Sequence, residues 1–119
     1  MKLAVSEPET EALQAYLSSD PVLVSSALAV VEVQRGARIA EPRVGAQRAR
    51  AVLERIVLLD LDRELLEEAV SFSSAHVRSL DAIHLASAFR AGTRTMLVYD
   101  RRLAEAAGAA GIGTVAPGA

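Results

Sequence analysis

The sequence contains no cysteine and no tryptophan, and only two phenylalanines and two tyrosines among its 119 residues. Without cysteine, the chain has neither a disulfide framework nor a thiolate metal site. The apolar residues are 23 Ala, 15 Leu, 13 Val and 4 Ile, so the core must be built from small aliphatic side chains. Closely packed helices and a sheet fit such a core better than an aromatic-rich barrel or sandwich.

Long hydrophobic runs are also lacking. The longest spans only about five residues, 27–31, whereas a bilayer requires roughly 20, and no secretory signal is evident. We therefore expect a cytoplasmic protein without membrane contact. With 51% hydrophobic and 24% charged residues, the chain can bury enough apolar surface to fold, which excludes disorder.

The chain has little net charge, and lysine is nearly absent. Twelve of the 13 basic residues are arginine, and the formal net charge is −2. Arginine suits bidentate phosphate contacts, but a chain with this charge has no general attraction for nucleic acid. If it handles RNA or DNA, a local site must do so, helped by a bound cation.

What is present is a regular alternation of helical and strand patterns over the length of a single domain, residues 1–119. Helices are predicted over residues 7–18, 44–55, 63–74, 80–91 and 101–107. One further helix is predicted to start from caps at Ser25 and Ser26 and to end at about residue 39. Predicted strands cover residues 22–24, 56–61, 95–99 and 113–116. This alternation predicts an α/β fold with a parallel sheet.

Three acidic residues are candidates for chemistry. Asp100 follows a predicted strand, Asp81 lies in the first turn of the helix that Ser79 is predicted to cap, and Glu32 lies early in another helix. Ligands of parallel sheets bind beyond the carboxyl ends of the strands, and three carboxylates there repel one another unless a cation lies between them. Oxygen ligands of this kind suit Mg²⁺ or Mn²⁺.

Spacing alone leaves simpler interpretations open. Asp81 and Asp100 are equally well explained as residues that stabilise helix starts, and Glu32 as an ion-pair partner of Arg35. His84, one turn after Asp81, is better explained as a packed, hydrogen-bonded histidine than as a metal ligand. Arg101 and Arg102 sit at a predicted helix start, where cations oppose the helix dipole, so they contact either a phosphate, an acid or only solvent.

Three segments, taken together, resemble the VapC-type PIN-domain toxins. Residues 78–86 (RSLDAIHLA) closely resemble a signature of that family. Residues 22–26 (VLVSS) leading to Glu32, and residues 97–103 (LVYDRRL), are similar to two further family blocks. The blocks occur in the family's order and separation, and the similarity covers essentially the whole chain.

This resemblance implies a PIN-like three-layer sandwich, with helices on both faces of a parallel sheet. It further implies an endoribonuclease that depends on Mg²⁺ or Mn²⁺, forms a homodimer and is held inactive by a small antitoxin protein. Glu32, Asp81 and Asp100 fall on family acids; Asp81 would be a principal metal ligand, and the other two would complete the acidic pocket around the metal, where RNA is cut.

Two departures from the family pattern bear on activity. Family members begin with an apolar strand that ends in a metal-binding Asp, and this chain starts at Met1 without them. We expect that the start is misassigned, which an in-frame apolar run and Asp in the upstream codons would support. The second departure is Val98, where family members often carry Thr.

The expected function is therefore a metal-dependent ribonuclease toxin, and two other classes compete with it. A catalytically weakened PIN-like module would bind the antitoxin without cutting RNA, since metal affinity depends on the number of charged ligands. A phosphoacceptor signalling domain would need a well-placed lysine, and the only lysine is Lys2. Metal-dependent RNA cleavage distinguishes the first two.

Overall fold

The computed structural model describes residues 10–18 and 22–118. Its helices are α1 (Thr10–Leu17), α2 (Ala29–Ala40), α3 (Gly45–Leu53), α4 (Arg63–Val70), α5 (Ser79–Ala91) and α6 (Arg101–Ala109). Its strands are β1 (Leu23–Ser26), β2 (Ile56–Leu59), β3 (Thr95–Leu97) and β4 (Gly113–Val115). The predicted start of the first helix, and the expectations about the chain's N-terminal residues, lie outside the described ranges.

The described strands pair in two two-stranded sheets, β1 with β2 and β3 with β4. β3 and β4 run parallel, with Thr95 opposite Gly113 and Leu97 opposite Val115. A parallel pair needs a crossover connection, and α6 supplies it between these two strands. The predicted α/β class with parallel strands is confirmed.

The chain divides into two compact units. Unit 1 comprises residues 1–58 and 117–119, and unit 2 comprises residues 59–116. Glu32 belongs to unit 1, whereas Asp81 and Asp100 belong to unit 2.

Small side chains pack α2 against α3 in unit 1. The buried residues of this contact are Ala29, Val33, Ala37, Ala49 and Val52. Those of α2 recur every fourth residue and therefore share one face of the helix. At the start of α3, a Cβ on Gly45 would overlap the carbonyl group of Ala37, so the two backbones touch. The predicted small-aliphatic core is found here.

Helix α5 is the centre of unit 2. Its buried residues are Ala82, Leu85, Ala86, Ser87 and Ala88. One side of α5 packs on Leu65 and Ala69 of α4, and another packs on Ala107 and Ile112 in and after α6. Because α5 is held on two sides, the first turn that carries Asp81 has a fixed position within unit 2.

The prediction that the first strand is buried on both faces was wrong. β1 begins at Leu23, Val22 before it is 84% exposed, and Val24 is 41% exposed. Leu23 is only half-buried, and burial in β1 becomes complete only at its last residue, Ser26. The apolar run VLV is thus covered on one side only. Because all three residues are apolar, the sequence does not distinguish a strand covered on one face from one covered on both.

The serine caps predicted for two helices were also wrong. Ser25 and Ser26 lie within β1, and α2 begins at Ala29 without a side-chain cap, although Ser26 Oγ accepts a hydrogen bond from the Leu28 amide at 3.3 Å. Ser79 is the first residue of α5 rather than its cap. Serine hydroxyls can bond to several nearby backbone groups, so the presence of serine does not determine which residue begins a helix.

Candidate active site

Asp100 lies between β3 and α6, at the carboxyl end of the strand. After β3, the Val98 amide still donates to the Val115 carbonyl at 3.0 Å, and the Val98 side chain is buried. The chain then turns, and Asp100 becomes the N-cap of α6, with its Oδ1 accepting from the Arg102 amide at 2.8 Å. Oδ2 of Asp100 has no hydrogen bond within the described residues. The hydrogen bond to Oδ1 therefore fixes the orientation of the exposed carboxylate, and Oδ2 is available to a ligand.

Asp81 lies in the first turn of α5 and is half-buried. Its carboxylate makes no hydrogen bond or ion pair with any other residue in the described part of the chain. Removing a carboxylate from water is costly unless a positive charge or donor compensates it. The interpretation of Asp81 as a metal ligand stays a prediction.

Glu32 lies in the first turn of α2, in unit 1, and is exposed. Its helix neighbours Ala29 and Val33 face the α2–α3 contact, so α2 presents Glu32 on a solvent-facing side. The predicted position early in the helix after β1 is confirmed. The interpretation of Glu32 as a site residue stays a prediction.

An open surface depression of about 550 Å³ is lined by Asp100, Arg101, Arg102 and Glu105. Its two carboxylates and two guanidinium groups balance in charge. The sequence prediction included the first three of these residues and missed Glu105. The available signal was the spacing of Arg101 and Glu105, because residues four apart on a helix are neighbours on its surface.

The described residues contain no group of three or more His, Asp or Glu side chains close enough together to hold a metal ion. The candidate ligands are nevertheless all carboxylate oxygens, the donors that Mg²⁺ and Mn²⁺ prefer. Within unit 2, Asp81 and Asp100 each have oxygen atoms that the described residues leave unbonded. His84 is half-buried on α5, and His76 is exposed in the loop before it.

Another acid of unit 2, Asp62, is held by contacts within the protein. It is the N-cap of α4, with Oδ1 accepting from the Leu65 amide at 2.8 Å, and both its carboxylate oxygens lie 3.0 Å from Nη1 of Arg90. Nη2 of Arg90 also lies 3.5 Å from the carboxylate of Glu68. The Leu65 amide and Arg90 lower the pKa of Asp62, and Asp62 in turn raises the pKa of Arg90.

Comparison with known proteins places this chain in a family. Residues 2–109 match the PIN domain. Ribonuclease VapC46 of Mycobacterium tuberculosis is 40% identical over 98% of this chain and 91% of its own length. Ribonuclease VapC35 of the same species is 37% identical, and Ribonuclease VapC47 is 35% identical, each over 99% of this chain and 91% of the relative. The chain belongs to the VapC-type PIN-domain family.

Family membership confirms the resemblance predicted from residues 78–86 and the two flanking blocks. Metal dependence is typical of PIN-domain ribonucleases, and VapC-type proteins imply a cognate antitoxin as partner. No solved structure matches this VapC-type chain. In its described residues, no helix is long and apolar enough to span a membrane.

Proposed function

We propose that this protein is an endoribonuclease toxin that hydrolyses phosphodiester bonds of RNA. The observation that carries the proposal is the 40% identity to a ribonuclease along nearly the whole chain. The positions of Asp81 and Asp100 in unit 2 support it, since each is an acid whose carboxylate has capacity for a further ligand. Because the proposed substrate is cellular RNA, the same proposal puts the protein in the cytoplasm.

We further propose that Glu32, Asp81 and Asp100 hold one Mg²⁺ or Mn²⁺ ion. Such an ion would supply Lewis acidity, polarising the phosphodiester and making water a better nucleophile. Asp100 contributes an oxygen whose direction is fixed by the Arg102 amide, so little order need be gained on binding. Asp81 contributes a half-buried carboxylate, whose charge a cation would compensate.

The proposed partners follow from the family. A small antitoxin protein would bind the toxin and hold it inactive, and the toxin itself would be a homodimer. The unit boundary at residues 58 and 59 lies within the segment that matches the PIN domain, which supports the proposal that the two units belong to one domain.

RNA cleavage in Mg²⁺, in Mn²⁺ and in EDTA tests the enzymatic proposal. We expect cleavage with either metal and none in EDTA. Asp81→Asn should lower kcat/KM by about 100-fold or more, since it removes a proposed ligand of the ion that would stabilise the negative charge of the transition state. Asp62→Asn is the matched control, because Asp62 is an acid of the same unit whose partners are the Leu65 amide and Arg90.

Folded wild-type protein that cuts no RNA in either metal would contradict the proposal. In that case, retained antitoxin binding would favour a module that binds without cutting. Equal cleavage in EDTA and in Mg²⁺ would contradict the metal dependence alone.

A further inference from the structure

Two arginines in the Asp100 depression have no partner among the residues that the structure describes. Arg101 and Arg102 are exposed and line the depression together with Asp100 and Glu105. Within the described residues, neither guanidinium makes a hydrogen bond or an ion pair. Some arginines elsewhere in the chain are paired, as Arg90 is with Asp62 at 3.0 Å and Arg48 is with Glu41 at 2.7 Å.

Local stability does not account for this pair. Both arginines lie in the first turn of α6, where a positive charge is unfavourable to the helix dipole. They also place two like charges at adjacent positions. These two guanidinium groups make no pair in the described part of the chain and do not favour their helix, so they are available to a ligand.

The chemistry of that ligand follows from the groups themselves. A guanidinium presents several donors in one plane and matches phosphate oxygens in bidentate geometry. The proposed reaction takes place on a phosphodiester bond, and Asp100, a proposed metal ligand, lies in the same depression. The strand bound there would carry further phosphates on either side of the bond that is cut.

We propose that Arg101 and Arg102 bind RNA phosphates next to the scissile bond and hold the strand in register with Asp100. This inference rests on the proposed ribonuclease function and extends it to positioning residues. Phosphate contacts orient a nucleic acid without reading its bases. The two arginines therefore set where the strand lies, and the choice of sequence belongs to other residues.

Because the net charge of the protein is small, the contribution of Arg101 and Arg102 to RNA binding can be measured. A chain of net charge −2 lacks a general attraction for RNA, so local cations carry the electrostatic part of binding. For single strands, each phosphate contact contributes about 0.7 to the slope of log K against log salt. Two contacts would contribute about 1.4, equivalent to about 25-fold in affinity between 1 M and 0.1 M salt.

The test measures RNA binding apart from cleavage. A short fluorescein-labelled single-stranded RNA is titrated with the full chain in EDTA, and fluorescence anisotropy gives Kd at several salt concentrations. We expect Arg101→Gln with Arg102→Gln to raise Kd about 25-fold at 0.1 M salt and to reduce the salt slope by about 1.4. The melting temperature should not fall, since the change relieves the conflict with the helix dipole.

Arg94→Gln is the matched control. Arg94 is an exposed arginine of the same unit that precedes β3, at the end of the strand opposite Asp100. Its Kd and salt slope should equal those of the wild type. If the double variant also binds like the wild type while the wild type cuts RNA in Mg²⁺ or Mn²⁺, the role of the arginines is refuted and the ribonuclease stands. A wild type that neither binds nor cuts RNA overturns both.

Discussion

Asp62 and Asp100 perform the same local task in two helices of unit 2. Each is an N-cap whose Oδ1 accepts a backbone amide hydrogen at 2.8 Å, from Leu65 and Arg102 respectively. They differ in what else reaches the carboxylate: Arg90 contacts both oxygens of Asp62, whereas Oδ2 of Asp100 lies in an open depression. The same residue type in the same capping position therefore has a structural role at one site and a proposed ligand role at the other.

Asparagine substitution separates these roles, because Asn caps helices about as well as Asp but carries no charge. Asp100→Asn should leave the melting temperature near that of the wild type and lower RNA cleavage by about 100-fold or more. Asp62→Asn should lower the melting temperature, through loss of the Arg90 ion pair, and keep cleavage. Thermal denaturation and a cleavage assay on both variants check this, and the reverse pattern would disprove the assignment.

The hydrogen bonds that Asp62 accepts from the Leu65 amide and from Arg90 also predict a pH dependence of stability. The pKa of Asp62 is lowered in the fold from its usual value of 3.8, so the folded state favours the charged form. The resulting stabilisation is fully present above pH 3.8 and is lost as the pH falls from there through the lowered pKa. Urea denaturation at a series of pH values should show a gap between the wild type and Asp62→Asn at pH 7 that closes on acidification below 3.8. A gap that widens on acidification would contradict this.

At the scale of helices, the α2–α3 contact depends on the absence of a side chain at Gly45. An added Cβ would overlap the Ala37 carbonyl, a backbone group that no rotamer change can move. Gly45→Ala should therefore destabilise the protein by about 1–3 kcal/mol or more, the usual cost of overpacking. The free energy of unfolding in urea measures this change.

Gly108 provides the matched control for that substitution. It lies inside α6, and a Cβ there would meet no atom within 4 Å. Gly108→Ala should stabilise the protein by roughly 0.5–1 kcal/mol, because alanine favours the helix over the unfolded chain. Equal effects at Gly45 and Gly108 would show that helix propensity, and not the contact with Ala37, governs both.

The order of helices and strands was predictable from the sequence because each segment keeps its apolar periodicity. The residues at which these elements end were not predictable. The fourth predicted helix, 63–74, ends at Val70. Beyond that point, Ser71 Oγ donates to the Glu68 carbonyl at 2.7 Å and Ser73 Oγ to the Val70 carbonyl at 2.7 Å. Such side-chain hydrogen bonds compete with the backbone hydrogen bonds that would continue the helix. The amino-acid composition does not show which of the two forms.

At the scale of the whole molecule, the proposal of one domain predicts a single unfolding transition. The PIN domain match extends over residues 2–109, across both compact units. Differential scanning calorimetry should then give a van't Hoff enthalpy equal to the calorimetric one, about 80 kcal/mol for a chain of this length near 60 °C. Two transitions of about 40 kcal/mol each would indicate two independent domains.

The sequence by itself determined the family, the α/β class and the acids proposed for the site, because these depend on residue types at fixed separations along the chain. The small-aliphatic composition likewise predicted closely packed helices, as Gly45 and Ala37 now illustrate. Only the tertiary structure decided that Arg90 pairs with Asp62, 28 residues away. It also decided that Arg101 and Arg102 share a depression with Asp100 and have no partner among the described residues. Whether a charged side chain is paired depends on which segments fold against it. The spacing of residues along the chain does not give the distances between such segments in the folded protein.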